Sequence, residues 1–213
     1  MKDILTDVTL IVDRSGSMGK NKEEAQNGIN HFMNEQKKQD GRTNFTLVQF
    51  VTEYGFVYRA RDIHDVTPYT LVPRGMTALL DAVGRAINEA GERFEKMEFD
   101  QRPDLVVFVI VTDGLDNSSH EFTKSSIKEM VDLQQNKYSW QFTYLGANHD
   151  AFVEAGGIGI DQGHTSNYTA TNASSAFDAA SKNIGRMKAN TIDGAAVENF
   201  YTDEERAEMW KEK

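Results

Sequence analysis

The run Leu105-Val106-Val107-Phe108-Val109-Ile110-Val111 constrains this chain more than any other stretch. Every residue in it is apolar and most are β-branched, so it cannot alternate between a wet face and a dry one. A strand that is apolar on both sides must be covered on both sides. The usual solution is a parallel sheet with helices packed on its two faces. A second run, residues 8–12, has the same character and is followed at once by Asp13, Ser15 and Ser17.

Around these runs the apolar residues fall mostly at helical spacing. Residues 19–39 predict a helix with Ala25, Ile29, Phe32 and Met33 on one face, ended by Asp40-Gly41. Residues 44–51 and 56–59 predict two strands joined through Glu53-Tyr54-Gly55 as an antiparallel hairpin. A polar stretch with two prolines, 62–73, predicts loop, and 77–97 a long helix with Leu79, Val83, Ala86, Ala90 and Phe94 in one stripe. After the central strand come a helix at 121–135, a strand at 140–145 and a short helix at 150–155. A short final strand at 156–160, a polar loop at 162–172 and a helix at 173–188 follow. Thr202-Asp203-Glu204-Glu205 reads as a capping-box start for a terminal helix ending in Trp210.

This alternation predicts an α/β fold: a three-layer, doubly wound, Rossmann-like, mostly parallel sheet with one antiparallel edge strand and helices on both faces. The 213 residues suit one domain, 1–190, with a C-terminal extension, 191–213, carrying a short terminal helix. The chain contains no cysteine, which excludes disulfides and zinc–thiolate chemistry. The N-terminal residues lack the basic and apolar regions of a secretory signal, and no long apolar segment occurs. The expectation is a cytoplasmic protein without a membrane span. A net charge of −10 argues against nucleic acid, whose phosphates need a basic face.

In doubly wound sheets, ligands bind beyond the carboxyl ends of the strands where strand order reverses. Three loops converge there. The first carries Asp13, Ser15 and Ser17, the second Arg74-Gly75-Met76-Thr77, and the third Thr112-Asp113-Gly114. Two carboxylates and three hydroxyls can together hold one hard divalent cation, with Mg²⁺ the first expectation and Mn²⁺ or Ca²⁺ as substitutes. Each piece alone is an ordinary turn or helix cap; their joint placement points to metal. Asp116, Asn117, Ser118 and Ser119, just beyond, read first as helix caps, with support of the metal ligands from outside as the lesser reading.

Asp13-x-Ser15-x-Ser17, a distant Thr77 opening Thr-Ala-Leu-Leu-Asp-Ala, and Asp113-Gly resemble the metal-ion-dependent adhesion site of von Willebrand factor A domains. The likeness spans roughly residues 5–190. The stretch 144–151 also resembles stand-alone A domains of bacteria and their phages. The resemblance implies that Ser15, Ser17 and Thr77 bind Mg²⁺ directly or nearly so. It implies that Asp13 and Asp113 act largely through waters, and that an Asp or Glu of a partner protein completes the shell. Arg14, Met18, Arg74, Gly75, Met76 and Leu115 form the expected partner-binding rim. The family often has two glycines before the threonine; here Met76 stands in that place.

The expected function is therefore a Mg²⁺-dependent protein-binding module rather than an enzyme. Two alternatives stand beside it. One is a metal-dependent phosphoester hydrolase of similar topology, although Ser15 occupies the position where such phosphatases carry a second aspartate. The other is an assembly component whose metal only stabilises the fold. Gly16 to Lys20 lacks the spacing of a phosphate loop, and His31, His64, His120, His149 and His164 show no paired spacing.

Overall fold

Strands β1 (Leu5–Asp13), β2 (Arg42–Phe50), β3 (Tyr54–Asp62), β4 (Leu105–Thr112), β5 (Gln141–Gly146) and β6 (Thr165–Asn167) form one sheet in the order β3-β2-β1-β4-β5-β6. The computed structural model describes residues 3–147, 150–169 and 172–209. All pairings are parallel except β2 with β3, so β3 is an antiparallel edge strand. Chain order reverses between β1 and β4, which lie side by side at the centre.

Every residue of β4 is buried, and its side chains alternate between two cores. Leu105, Val107, Val109 and Val111 join one, with α1 (Lys22–Gln36) and α5 (Ala173–Asp193) packed over them. Val106, Phe108 and Ile110 join the other, beneath α2 (Leu79–Glu95), α3 (Lys124–Tyr138) and α4 (Ala151–Gly157). Each fully buried side chain of this kind contributes about 1.5–3 kcal/mol. Phe108 also stacks on Trp140 and Phe142, with ring centroids 5.4 and 5.2 Å away.

The three-layer reading is correct, but several boundaries move. The first helix starts later: Gly16–Asn21 is a 3-10 turn that leads from the Asp13 loop into α1. The strand expected at 156–160 is absent. α4 runs through Gly157, and Gly159 sits in a turn at φ 85°, while Ile158 and Ile160 are buried in the second core. Three glycines in five residues offer too few side chains to build a pleat. The sixth strand is Thr165–Asn167, inside the expected polar loop, and pairs only with Tyr144, Leu145 and Gly146. The last core helix extends to Asp193.

Beyond α5 the chain packs back on the fold. Tyr201 and Met209 are buried in the first core. The Asn199 amide donates to the Phe142 carbonyl at 3.0 Å, beside the part of β5 that β6 leaves unpaired, so the segment covers a sheet edge. Thr202 and Glu205 form the expected reciprocal cap of α6 (Asp203–Met209). Arg186 grips the Glu205 carboxylate through two bonds of 2.6 and 2.9 Å. Asn148, His149 and Trp210, part of the sequence readings above, lie outside the described residues. Among the described residues no helix is long and apolar enough to cross a membrane.

Candidate metal centre

Parallel pairing of β1 with β4 sets the carboxyl ends of the two central strands side by side. β1 ends on Asp13, which is fully buried. Its Oδ1 accepts the Ser15 N–H at 2.6 Å, and its Oδ2 accepts the Thr112 hydroxyl at 2.7 Å. These bonds aim the carboxylate and fold the next residues over it. Ser15 is buried and Ser17 exposed; their hydroxyl oxygens lie 3.0 Å apart. The Ser17 hydroxyl in turn donates to Asp113 Oδ1 at 2.7 Å.

The second loop is sewn to the first. The Gly16 N–H donates to the Gly75 carbonyl at 3.0 Å, and the Arg74 N–H to the Arg14 carbonyl at 2.7 Å. Gly75 sits at φ 70°, in the left-handed region that suits glycine. This bend lets Met76 turn to solvent at 54% exposure while Thr77 goes inward, 3% exposed. The glycine missing at position 76 is thus absorbed by a rim side chain that does not fill the site. Thr77 does not cap α2. The cap residue is Ala78, with no side-chain cap bond, and the Thr77 hydroxyl instead faces the third loop. A Cβ built on Gly114 would stand 3.5 Å from Thr77 Oγ1 and 3.7 Å from Ser17 Oγ. The hydroxyls of Ser17 and Thr77 thus both lie beside the third loop, whose Asp113 accepts from Ser17.

The donor set fits a hard divalent cation. Neighbouring oxygens in an octahedral shell of roughly 2.0–2.1 Å radius sit about 2.9 Å apart, close to the 3.0 and 2.7 Å spacings of the Ser15, Ser17 and Asp113 oxygens. Among the described residues no three His, Cys, Asp or Glu side chains group closely enough to hold a metal. Here two carboxylates combine with three hydroxyls, a set that favours an oxygen-seeking ion over a thiophilic one. Burial pushes the Asp13 carboxyl above its ordinary range despite its bonds to Thr112 and Ser15, and Asp113 adds repulsion. Burial raises Asp113 as well, against its bond from Ser17. A divalent cation held by these groups would supply positive charge that favours both carboxylates in their ionised form.

One residue of the expected rim is displaced by the structure. Met18 is not on it. The 3-10 turn points its side chain into the first core, where it is fully buried 3.9 Å from the Tyr168 hydroxyl. Arg14 is half-buried; Arg74 is exposed and paired with Glu53 at 3.3 Å, and Met76 and Leu115 are exposed at 54 and 49%. Sequence reasoning missed Val72, 55% exposed on the same loop as Met76. It placed Thr112 in the third loop but missed its role, a hydroxyl that orients Asp13; a polar residue ending an otherwise apolar run was the signal. Asp116 and Ser119 are caps, as expected, but of α2. Their side chains accept the Leu80 and Asp81 N–H groups at 3.3 and 3.0 Å.

Compared with known proteins, the chain matches the family model for the von Willebrand factor type A domain over residues 7–183. No curated protein matches it. Among solved structures it is similar to proximal thread matrix protein 1 from the mussel byssus with a zinc-occupied MIDAS motif, with TM-score 0.59 and 19% identity. That match covers 84% of this chain and 46% of the mussel protein, so this chain spans less than half of that relative's length. Manganese-loaded Plasmodium vivax TRAP protein matches at TM-score 0.56 and 17% identity, covering 83% of this chain and 73% of that one. The vWF domain of the type V pili tip protein Mfa5 from Porphyromonas gingivalis matches at TM-score 0.59 and 13% identity, with 86 and 96% coverage.

Proposed function

This chain belongs to the von Willebrand factor type A family, and from that premise we propose that it is a divalent-cation-dependent protein-binding module. Ser15, Ser17 and Thr77, with Asp13 and Asp113, would hold one Mg²⁺. A bound cation supplies a Lewis-acidic coordination position that an Asp or Glu side chain of a partner protein fills. The observation that carries this reading is the meeting of carboxylate and hydroxyl oxygens from three separate loops, Asp13 being fully buried beside them. The zinc-occupied MIDAS motif of the mussel protein and the manganese-loaded Plasmodium protein support the reading of a bound divalent metal.

The rim supports the rest. Val72, Met76 and Leu115 expose apolar surface on the loops that carry Thr77 and Asp113, and Arg14 and Arg74 sit beside them. An acidic residue flanked by apolar neighbours complements that surface, with the carboxylate directed to the cation and the apolar contacts providing most of the buried area. A cytoplasmic setting and a likeness to stand-alone bacterial and phage A domains belong to the same proposal, and fractionation of the native host tests the first.

The functional test is an affinity capture from native lysate in Mg²⁺, in EDTA, and with Asp13→Ala. The reading expects a partner retained only by the wild-type protein in Mg²⁺. Identical captures in all three conditions would refute metal bridging. Steady turnover of generic phosphoesters by the purified protein would replace the binding reading with the hydrolytic one.

A further inference from the structure

The backbone of Thr77 is gripped by a residue outside the five oxygen donors. The Asn117 side-chain Oδ1 accepts the Thr77 N–H at 3.0 Å, and the Asn117 and Ser118 N–H groups donate to the Thr77 carbonyl at 2.9 and 3.1 Å. The Ser118 hydroxyl donates to the same Oδ1 at 2.9 Å and so holds the amide in this orientation. Thr77 precedes the helix, so neither its N–H nor its carbonyl has a place in the α2 ladder; both go to this clamp.

The clamp stands on a firm base. Asp81, in the first turn of α2, accepts the His120, Glu121 and Phe122 N–H groups at 2.9, 2.9 and 3.0 Å. Asp116 and Ser119 tie the same stretch to Leu80 and Asp81. The loop that leaves β4 at Asp113 is thereby fixed to the start of α2 along much of its length. Asn117, outside the five proposed donors, reaches one of them directly from that loop. It is itself exposed, so the clamp can be cut without opening a core.

We infer that Asn117 is a positioning residue for the metal centre: acting through the Thr77 backbone, it fixes the Thr77 hydroxyl beside Gly114. This inference rests on the metal-centre reading above. Asn117 is not one of the five proposed oxygen donors. It sets the angle at which one hydroxyl is offered, and outer groups of this kind change metal affinity by roughly 10- to 100-fold.

The test compares wild type, Asn117→Ala and Asn117→Asp, the last of which keeps the accepting oxygen. Two quantities are read: Mn²⁺ affinity by electron paramagnetic resonance, and exchange of the Thr77 amide in metal-free protein by NMR. The alanine variant is expected to bind Mn²⁺ about 10-fold more weakly or worse and to lose Thr77 amide protection, with aspartate restoring both. The exchange readout separates the acceptor from the added charge, which acts on the cation alone. Wild-type affinity in the alanine variant would overturn the positioning role while leaving the metal centre standing. So would weakened binding that aspartate does not restore. Absence of Mn²⁺ binding by wild type itself would remove the metal-centre reading, and this inference with it.

Discussion

Replacing Arg93 by alanine isolates one buried charge on the strand that carries the Asp13 loop. The Asp7 carboxylate is fully buried in β1, and Arg93 of α2 holds it with two bonds of 2.7 and 2.9 Å. Removing one partner of such a pair leaves an uncompensated charge at a cost of about 3–5 kcal/mol. The Arg93 side chain is 22% exposed, so water reaches the vacated space and the lower end applies, about 3 kcal/mol. Loss of the guanidinium over the Phe94 ring, 4.5 Å from its centroid, adds about 0.5–1 kcal/mol. The pH dependence has a definite sign. Burial raises the Asp7 carboxyl above its ordinary range despite Arg93. The folded state therefore holds a proton that the unfolded state releases, and this group's contribution to stability falls as pH rises through that window. Without Arg93 the carboxyl rises further, so the cost of the substitution is largest at neutral pH and shrinks toward pH 4. Urea titrations at pH 7 and pH 5 measure it. Asp7→Asn/Arg93→Ala should recover more than about 1 kcal/mol at pH 7, because no charge is left buried. A single-variant cost below about 1 kcal/mol, or one that grows on acidification, would refute this reasoning.

Three further outcomes follow from packing and burial. A Cβ on Gly28 of α1 would stand 2.2 Å from the Phe177 ring of α5. Gly28→Ala should therefore lose about 1–3 kcal/mol in chemical denaturation despite a helix-propensity gain of about 1 kcal/mol. Lys188 is 2% exposed, with its ammonium on the Thr43 hydroxyl at 2.8 Å, and burial pushes it down to about 8. A base lowered in the fold costs stability below that value and regains it as pH rises toward 10.5. Lys188→Met should thus stabilise at pH 7 by up to about 3 kcal/mol, and the difference from wild type should fade by pH 10 in denaturant titrations. Met209→Ala, removing a side chain buried to 2% in the first core, should cost about 2–5 kcal/mol; thermal denaturation would reveal a terminal segment that contributes nothing if the midpoint does not move.

The parts of this fold that were legible in sequence are those whose burial is extreme or whose chemistry is dense. The Leu105–Val111 run forced a strand covered on both faces, because no other arrangement removes seven consecutive apolar side chains from water, and the structure divides them between two cores. The polar groups ending the apolar runs marked the carboxyl edge of the sheet, and the structure gathers Asp13, Ser15, Ser17, Thr77 and Asp113 there. What stayed hidden depends on partners far along the chain. β6 carries Thr165, Ser166 and Asn167 with no apolar alternation, and forms through backbone pairing with β5. Met18 looked like a rim residue from its neighbours alone; its burial depends on Tyr168 and the first core, which local spacing does not reveal. Asn117 read first as a helix cap and only second as support for the metal ligands, since nothing in the sequence states that its amide faces Thr77, forty positions earlier.

The central claim is that five oxygen-bearing side chains on three loops hold one divalent cation. Titration of the purified protein with Mn²⁺, followed by water-proton relaxation and competed with Mg²⁺, tests it most directly. The expected result is a single site that Mg²⁺ empties, strongly weakened in both Asp13→Ala and Ser15→Ala while each variant remains folded. Saturable binding that survives both substitutions unchanged, or no binding by the folded wild type, would contradict it.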